Sequence, residues 1–184
     1  MNHVMLDIES MSTNPGNALV LSIGAVRFGF TNDGPVISKR WCAVLDPRQQ
    51  LALGREVSKD TMTWWQTQTD AARSAWLHGE VKKLTDAMGE LWAFVNTPEP
   101  AVTVWAHGIT FDLANVQSLF QAVKLSTPWK YDAARDCRTI VRTCPVIEER
   151  AMKPQKEAGL VAHDPVSDCV SQVHYLWQHL RELS

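Results

Sequence analysis

The stretch HVMLDIE, residues 3–9, decides the interpretation of this chain. A short apolar run of this kind is typical of a buried β-strand. Side chains two residues apart on a strand point to the same face, so Asp7 and Glu9 share one face with Met5, and the alternate residues form an apolar face. The strand therefore presents two carboxylates side by side, about 6.5 Å apart along its length.

Two neighbouring carboxylates inside a sheet are unstable, because burial and mutual repulsion both disfavour their ionised forms. A hard divalent cation offsets that cost, since such ions prefer oxygen ligands. A D-x-E triplet also occurs by chance on exposed strands and loops. The metal-site interpretation therefore requires further acids at matching positions.

The composition is typical of one globular domain. The chain has 184 residues, of which 45% are hydrophobic and 21% charged, with a net charge of −2. No apolar run approaches the length of a membrane span, and the early acids exclude a signal-peptide core, so we expect a cytoplasmic protein with no membrane partner. The four cysteines lack C-x-x-C spacing, and we expect all of them to be reduced core residues: Cys42, Cys137, Cys144 and Cys169.

The rest of the pattern predicts an α/β domain with a mixed sheet flanked by helices over residues 1–184. Residues 19–30 and 36–45 alternate like strands and, with the first strand, predict an antiparallel meander. A short buried strand is expected at 102–106, and a mobile loop at 146–162. Helices are expected at 58–68, 70–78, 80–95, 111–123, 133–143 and 164–183.

A third and a fourth acid occupy notable positions on predicted helices. Asp112 opens the helix at 111–123, and the positions four, seven and eleven residues later are all apolar. Asp112 therefore lies on the apolar stripe and points inward, which the helix macrodipole alone does not explain. Asp168 lies in the first turns of the last predicted helix, and His163 precedes it by five residues.

The segment 130–156 is locally basic, with seven Lys or Arg against four Asp or Glu. Such a segment can contact phosphate groups. A solvated helix face explains any one of these residues equally well.

The order and spacing of the acids and the histidine resemble the DnaQ-like 3′–5′ exonucleases of the DEDDh type, which have a ribonuclease-H-like fold. Asp7 and Glu9 match the first motif, Asp112 the second, and His163 with Asp168 the third. The resemblance covers nearly the whole chain. Three further stretches look like the small exonucleases of phages, prophages and some bacteria: residues 17–28, 60–65 and 135–139.

The resemblance implies hydrolysis of phosphodiesters with two Mg²⁺ ions, for which Mn²⁺ can substitute. Asp7 is then expected to bridge both ions, Glu9 and Asp168 to hold the ion on the nucleophile side, and Asp112 to support the other, partly through water. His163 is expected to be the general base, because imidazole has an ordinary pKa of about 6.5. Its place after a loop would let it swing in when substrate arrives.

Aromatic and polar residues near the motifs are expected to bind the terminal nucleotides. Of the adjacent Trp64 and Trp65, we expect one in the core and the other exposed. His107 precedes Gly108 where the wider family often has Asn-Ala. The candidates for substrate binding are Ser10, Met11, Trp64, Trp65, His107 and Phe111.

These features predict a 3′–5′ exonuclease that releases nucleoside 5′-monophosphates from single-stranded 3′ ends, with DNA favoured. One alternative is an exoribonuclease, since a single contact to the 2′-hydroxyl can decide sugar choice. A second is a nucleic-acid-binding or partner-inhibiting protein that keeps the fold without turnover. The oligomeric state, a homodimer included, stays open at this point.

Overall fold

A six-stranded mixed sheet with helices packed on both faces forms the centre of the molecule. The structure, a computed structural model, describes residues 2–75, 80–96, 98–143 and 159–183. The strands of these residues are β1 (His3–Ser10), β2 (Val20–Phe30), β3 (Pro35–Leu45), β4 (Val81–Lys82), β5 (Thr103–Ala106) and β6 (Ala134–Asp136). The helices are α1 (Pro47–Ala52), α2 (Lys59–Thr67), α3 (Asp70–Ala75), α4 (Leu84–Asn96), α5 (Asp112–Ala122), α6 (Cys137–Thr143) and α7 (Pro165–Leu183).

The strands follow the order β4-β3-β2-β1-β5-β6 across the sheet. β1, β2 and β3 form the antiparallel meander, and β5 pairs parallel to β1 on its other side. β4 and β6 extend the sheet with parallel pairs at its two edges. The predicted mixed sheet, with an antiparallel meander and a parallel strand, is confirmed.

The two faces of β1 pack against different helices. Val4, Leu6 and Ile8 lie in a core that also contains the buried residues of α4 and α5. Met5 lies in a second core, which contains buried residues of α6 and α7. The alternation predicted for residues 3–9 is therefore present, with α7 covering the face that bears Asp7 and Glu9.

Two of the predicted helices begin later than expected, because a short strand precedes each of them. Residues 134–136 form β6, with Ala134 opposite Val104 of β5, and the helix begins only at Cys137. Likewise, residues 81–82 form β4 opposite the end of β3, and α4 begins at Leu84. Pairing with a neighbouring strand overrides local helical preference at both places.

Helix α1 was not predicted, although its start carries a clear signal. Asp46 caps it by accepting a hydrogen bond from the Arg48 backbone N–H at 2.9 Å, and Pro47 takes the first helical position. The expected helix at 70–78 is present as α3 up to Ala75, and its last residues lie outside the described ones. Most of the loop expected at 146–162 also lies outside them.

The cysteine prediction is confirmed at two positions and wrong at one. Cys137 and Cys169 are buried free thiols, whereas Cys42 is exposed on β3. Cys144 lies outside the described residues. Within the part of the chain that the structure describes, no helix combines the length and apolar character needed to cross a membrane.

Candidate active site

The two carboxylates of β1 lie where the strand faces α7. Asp7 is opposite Gly24 of β2, and Glu9, only 7% exposed, is opposite Ser22. Gln172 Nε2 of α7 donates to Asp7 Oδ1 at 2.7 Å and so fixes the orientation of that carboxylate. The sequence interpretation missed Gln172, although it follows Asp168 by one helical turn and shares its side of the helix.

Asp112, the first residue of α5, is buried at the end of a tight loop. The Gly108 backbone N–H donates to Asp112 Oδ2 at 3.2 Å. The Gly108 carbonyl in turn accepts from the backbone N–H groups of Phe111 and Asp112, both at 2.9 Å. This reciprocal bonding holds the carboxylate toward the sheet, as the apolar stripe of the helix predicted.

His163 and Asp168 are fixed by the turn that opens α7. His163 has a φ of +63°, which is uncommon for a residue with a side chain. Its backbone N–H donates to Asp168 Oδ2 at 3.0 Å, and Asp164 caps the helix by accepting from the Ser167 N–H at 2.7 Å. The turn therefore orients the imidazole and one carboxylate together.

Gly24 explains how α7 comes so close to the sheet. A Cβ at this position would lie 2.5 Å from the Pro165 carbonyl oxygen and 2.7 Å from the Val166 nitrogen. Real Cβ atoms do not approach backbone so closely, so glycine is required for the start of α7 to rest on β2. The contact brings the motif on α7 up to the carboxylates of β1.

The predicted residues converge at this place. Glu9, His163 and Asp168 each offer an oxygen or nitrogen atom, and these atoms lie within 4.8 Å of one another. His163 Nδ1 is 3.9 Å from Glu9 Oε1. Asp7 and Asp112 lie outside this compact group, but Asp112 is near enough for its negative charge to raise the pKa values of Asp7 and Glu9, and the charges of Glu9 and Asp168 raise the pKa of Asp7.

The carboxylates of β1 resist ionisation. Burial raises the pKa of Glu9 to about 9, and the charge of Asp168 adds to the effect. Burial and then the charge of Asp112 raise the pKa of Asp7 well above its usual range, against the hydrogen bond from Gln172. In the absence of a cation, these groups therefore hold protons at pH values where free carboxylates are ionised.

The two helical acids are perturbed in the same direction. Burial raises the pKa of Asp112 to about 7, against the opposing effects of the Gly108 amide and the Arg138 charge. Burial also raises the pKa of Asp168 to about 6, against the hydrogen bond from the His163 backbone. Burial lowers the pKa of the His163 imidazole, since it disfavours the charged form of a base as it does that of an acid. The imidazole is therefore more readily neutral.

A cleft of about 460 Å³ opens beside the acids, with Ser10 and Phe111 in its wall. Trp64 and Trp65 also line it. Trp65 is 4% exposed and donates from Nε1 to the Ser10 carbonyl at 2.9 Å, whereas Trp64 is 42% exposed. The prediction that one of the two is buried and the other exposed is confirmed. The Trp64 ring meets the His163 imidazole edge to face, with ring centres 4.9 Å apart.

Three more of the predicted substrate-binding residues have internal contacts, as Trp65 does. The Ser10 hydroxyl donates to the Ser12 carbonyl at 2.8 Å. Met11 packs against Leu19, Leu21 and Trp65 in a small apolar cluster. The His107 carbonyl accepts from the Arg138 backbone N–H at 3.2 Å.

A mixed sheet of this order, with buried acids and a histidine gathered at its central strand, is the ribonuclease-H-like fold shared by the DnaQ-like exonucleases. The model of the 3′–5′ exoribonuclease Rv2179c-like domain family matches residues 2–180, and the chain belongs to that family. Comparison by sequence with curated proteins gives no match.

Solved structures of exonuclease I share this fold. One, described as suggesting how processivity is achieved, has 14% identity and a TM-score of 0.63 over 93% of this chain and 39% of its own. Escherichia coli exonuclease I with a dT13 oligonucleotide has 13% identity and a TM-score of 0.63, with the same coverage. The zinc-bound form of the E. coli exonuclease I–ssDNA complex has 12% identity and a TM-score of 0.62 over 93% and 38%. The chain thus spans about 39% of the length of the exonuclease I chains it matches.

Proposed function

We propose that this protein is a metal-dependent 3′–5′ exonuclease that hydrolyses the terminal phosphodiester of single-stranded RNA and releases nucleoside 5′-monophosphates. The observation that carries the proposal is the convergence of Asp7, Glu9, Asp112, Asp168 and His163 beside an open cleft. A single buried acid has many structural explanations. Four acids with raised pKa values next to a neutral imidazole are costly to the fold and point to a functional site.

The donor set fits divalent cations with a preference for oxygen ligands. Buried carboxylates with raised pKa values gain most from a bound cation, which removes their mutual repulsion. Asp7, Glu9, Asp112 and Asp168 would hold two Mg²⁺ ions, or Mn²⁺ in their place. Bound there, the ions would activate water and stabilise the charge on the phosphate and the leaving oxygen.

The protein's own groups would bind and orient the substrate. His163 is neutral at physiological pH because burial lowers its pKa, so it can accept the proton of an attacking water. Trp64 and Phe111 present aromatic surface to the cleft, and stacking on such groups is worth about 1–3 kcal/mol per base. Gln172 would hold Asp7 in one orientation throughout the reaction.

RNA is the first candidate substrate because the family to which the chain belongs is named for a 3′–5′ exoribonuclease. The cleft wall also contains the hydroxyl residues Ser58 and Thr61, which offer the type of group that can bond a ribose 2′-hydroxyl. DNA, which the sequence interpretation favoured, is the second candidate. It is supported by the shared fold with exonuclease I, a protein solved with single-stranded DNA oligonucleotides.

The decisive experiment is digestion of matched RNA and DNA oligonucleotides, single- and double-stranded, with Mg²⁺, Mn²⁺ or EDTA, and with Asp7→Asn as the inactive control. We expect 5′-monophosphates from the 3′ end, fastest with single-stranded RNA. A 3′-phosphate should block digestion and a 5′ block should not. Internal fragments from a circular substrate would show an endonuclease. Binding without nucleotide release from any substrate would support the non-catalytic alternative.

A further inference from the structure

Arg138 is an exposed residue beside the acid cluster, which consists of Asp7, Glu9, Asp112 and Asp168. The proposed chemistry gives Arg138 no role. Arg138 is the second residue of α6 and belongs to the locally basic segment 130–156. Most basic residues of a protein surface are solvated and bind nothing in particular. Arg138 differs from such solvated residues because both its backbone and its side chain contact the loop that leads into Asp112.

The start of α6 is tied to the loop that leads into Asp112. Asp136 Oδ1 accepts from the Thr139 N–H at 2.9 Å, and Asp136 Oδ2 accepts from the Ile109 N–H at 3.3 Å. The Arg138 N–H donates to the His107 carbonyl at 3.2 Å. The backbone of Arg138 therefore keeps a fixed position relative to the loop 107–111.

The side chain of Arg138 lies over Gly108 in this loop. A Cβ on Gly108 would be 3.0 Å from Arg138 Nη2 and 3.3 Å from its Cζ. The same Gly108 donates its N–H to Asp112, so the guanidinium stands at the Asp112 end of the acid cluster. Its charge opposes the effect of burial, which raises the pKa of Asp112.

The N–H groups of the Arg138 guanidinium make no hydrogen bond to any residue that the structure describes. Nor does the guanidinium form an ion pair with any of these described residues. Arg135, three residues earlier and also exposed, instead donates to the carbonyl groups of Asp132 and Ala134. The buried Arg27 donates to the carbonyls of Phe94, Val95 and Glu99. Both of these guanidinium groups bond to carbonyl oxygens, whereas that of Arg138 bonds to none within the described ranges.

We propose that Arg138 is a substrate-binding residue that donates to a backbone phosphate of the nucleic-acid strand on the Asp112 side of the cleft. The planar guanidinium matches two phosphate oxygens and forms strong charge-assisted hydrogen bonds with them. A guanidinium at the edge of the acid cluster places a positive charge where the strand passes. This assignment rests on the proposed nuclease function and adds a contact outside the metal-binding acids.

Binding of a fluorescently labelled single-stranded RNA, measured by anisotropy with Ca²⁺ in place of Mg²⁺, tests the assignment. Arg138→Gln should weaken binding about tenfold, the order expected for loss of a charged hydrogen bond. It should also reduce the slope of log affinity against log salt by about 0.7, the value for one phosphate of a single strand. Arg135→Gln, the matched control, should leave both quantities unchanged.

A set of RNAs, each with one uncharged methylphosphonate linkage, distinguishes a phosphate contact from a structural role. The wild type should lose affinity at one linkage near the 3′ end, and Arg138→Gln should lose nothing further there. Gly108→Ala, which keeps the charge but displaces the guanidinium, should weaken binding in the same direction. If Arg138→Gln binds as tightly as the wild type, or keeps the wild-type salt slope and linkage sensitivity, the assignment is wrong.

The same RNA without modification, digested with Mg²⁺, separates this assignment from the proposed function. A wild type that releases nucleotides, together with an Arg138→Gln variant that binds normally, would overturn the Arg138 assignment alone. A linkage-specific contact that depends on Arg138, in a wild type that releases no nucleotide, would support the assignment and overturn the exonuclease proposal. A wild type that binds no RNA would overturn the assignment as well.

Discussion

The two faces of β1 show how one strand can serve stability on one side and chemistry on the other. Val4, Leu6 and Ile8 are at most 6% exposed and lie in the core that contains residues of α4 and α5. On the opposite face, Asp7 and Glu9 lie against α7 with their pKa values raised by burial. The apolar face lowers the free energy of the folded state, and the acidic face raises it whenever its carboxylates ionise.

This difference between the two faces of β1 indicates which of them belongs to a functional site. The apolar face is explained fully by the hydrophobic effect, which alone accounts for its side chains. The acidic face is explained only if a bound ligand, such as a metal ion, offsets the free-energy cost of burying its carboxylates.

The largest expected effect is from Asp7→Asn on the acidic face. Turnover should fall to the background measured in EDTA, because the acid expected to bridge both ions is lost. The melting temperature without metal should rise or stay level, because repulsion from the neighbouring carboxylates falls. Nuclease assays and thermal unfolding in EDTA measure the two effects, and near-wild-type activity of the pure variant would disprove the metal-site proposal.

Leu6→Ala, one position away on the apolar face, is the matched control. It should cost about 2–5 kcal/mol of stability, the usual result of emptying a buried leucine site. Activity per folded molecule should change little below the melting temperature. If Leu6→Ala and Asp7→Asn affected stability alike, the distinction between the two faces would not hold.

His163→Ala is expected to have the next largest effect. It should lower kcat by roughly 10²–10⁴-fold, the usual contribution of a positioned acid–base group. Burial lowers the pKa of His163, so the wild-type rate should rise with pH through an ionisation below the ordinary value, and this step should vanish in the variant.

Calorimetry of Mg²⁺ or Mn²⁺ binding checks the role of His163, because the imidazole lies in the same 4.8 Å group as two carboxylates. We expect metal affinity close to the wild-type value in His163→Ala. Loss of metal binding in parallel with loss of rate would instead make His163 a ligand. The single-turnover rate, measured beside the calorimetry, keeps the two roles apart.

Gly24→Ala should disturb both faces through the backbone. The added Cβ would collide with the Pro165 and Val166 backbone, so the start of α7 must move away from β2. Overpacking of this kind costs typically about 1–3 kcal/mol, and the displaced His163 and Asp168 should also reduce activity. Gly89→Ala on α4, where a Cβ meets nothing within 4 Å, is the control and should preserve activity. Wild-type activity of Gly24→Ala would show that the close contact is not needed.

Much of the site could be predicted from the sequence because its signals are local. The alternation of residues 3–9 gives the shared face of Asp7 and Glu9, and helical spacing gives the inward direction of Asp112. Both depend on residues that are neighbours along the chain. The approach of Asp168 and His163 to that face came from the family resemblance, since no local pattern joins residues more than 150 positions apart.

The parts that escaped prediction depend on contacts between distant segments. Residues 134–136 form a strand only because β5 lies beside them, and a helical pattern over 133–143 could not reveal it. The need for glycine at position 24 becomes visible only when α7 is in place. Gln172 was identifiable by its spacing from Asp168, but its bond to Asp7 spans 165 positions.

The pH dependence of stability without metal tests the acidic face apart from catalysis. Burial raises the pKa of Glu9 from 4.5 to about 9, so between these values the folded protein binds more protons than the unfolded chain. The stability contributed by the protonated Glu9 should therefore be fully present below pH 4.5 and should be lost as the pH rises toward 9. The loss attributable to the acidic face should exceed about 1.4 kcal/mol, the equivalent of one pKa unit. Chemical denaturation in EDTA across this range measures the loss of stability.

Glu9→Gln should flatten this decline in stability with pH, and saturating Mg²⁺ should reverse it. Each change removes the free-energy cost of an unpaired buried charge. A decline of equal size in wild type and Glu9→Gln would place its origin in groups other than Glu9, and the cost assigned to the Glu9 carboxylate would then be wrong.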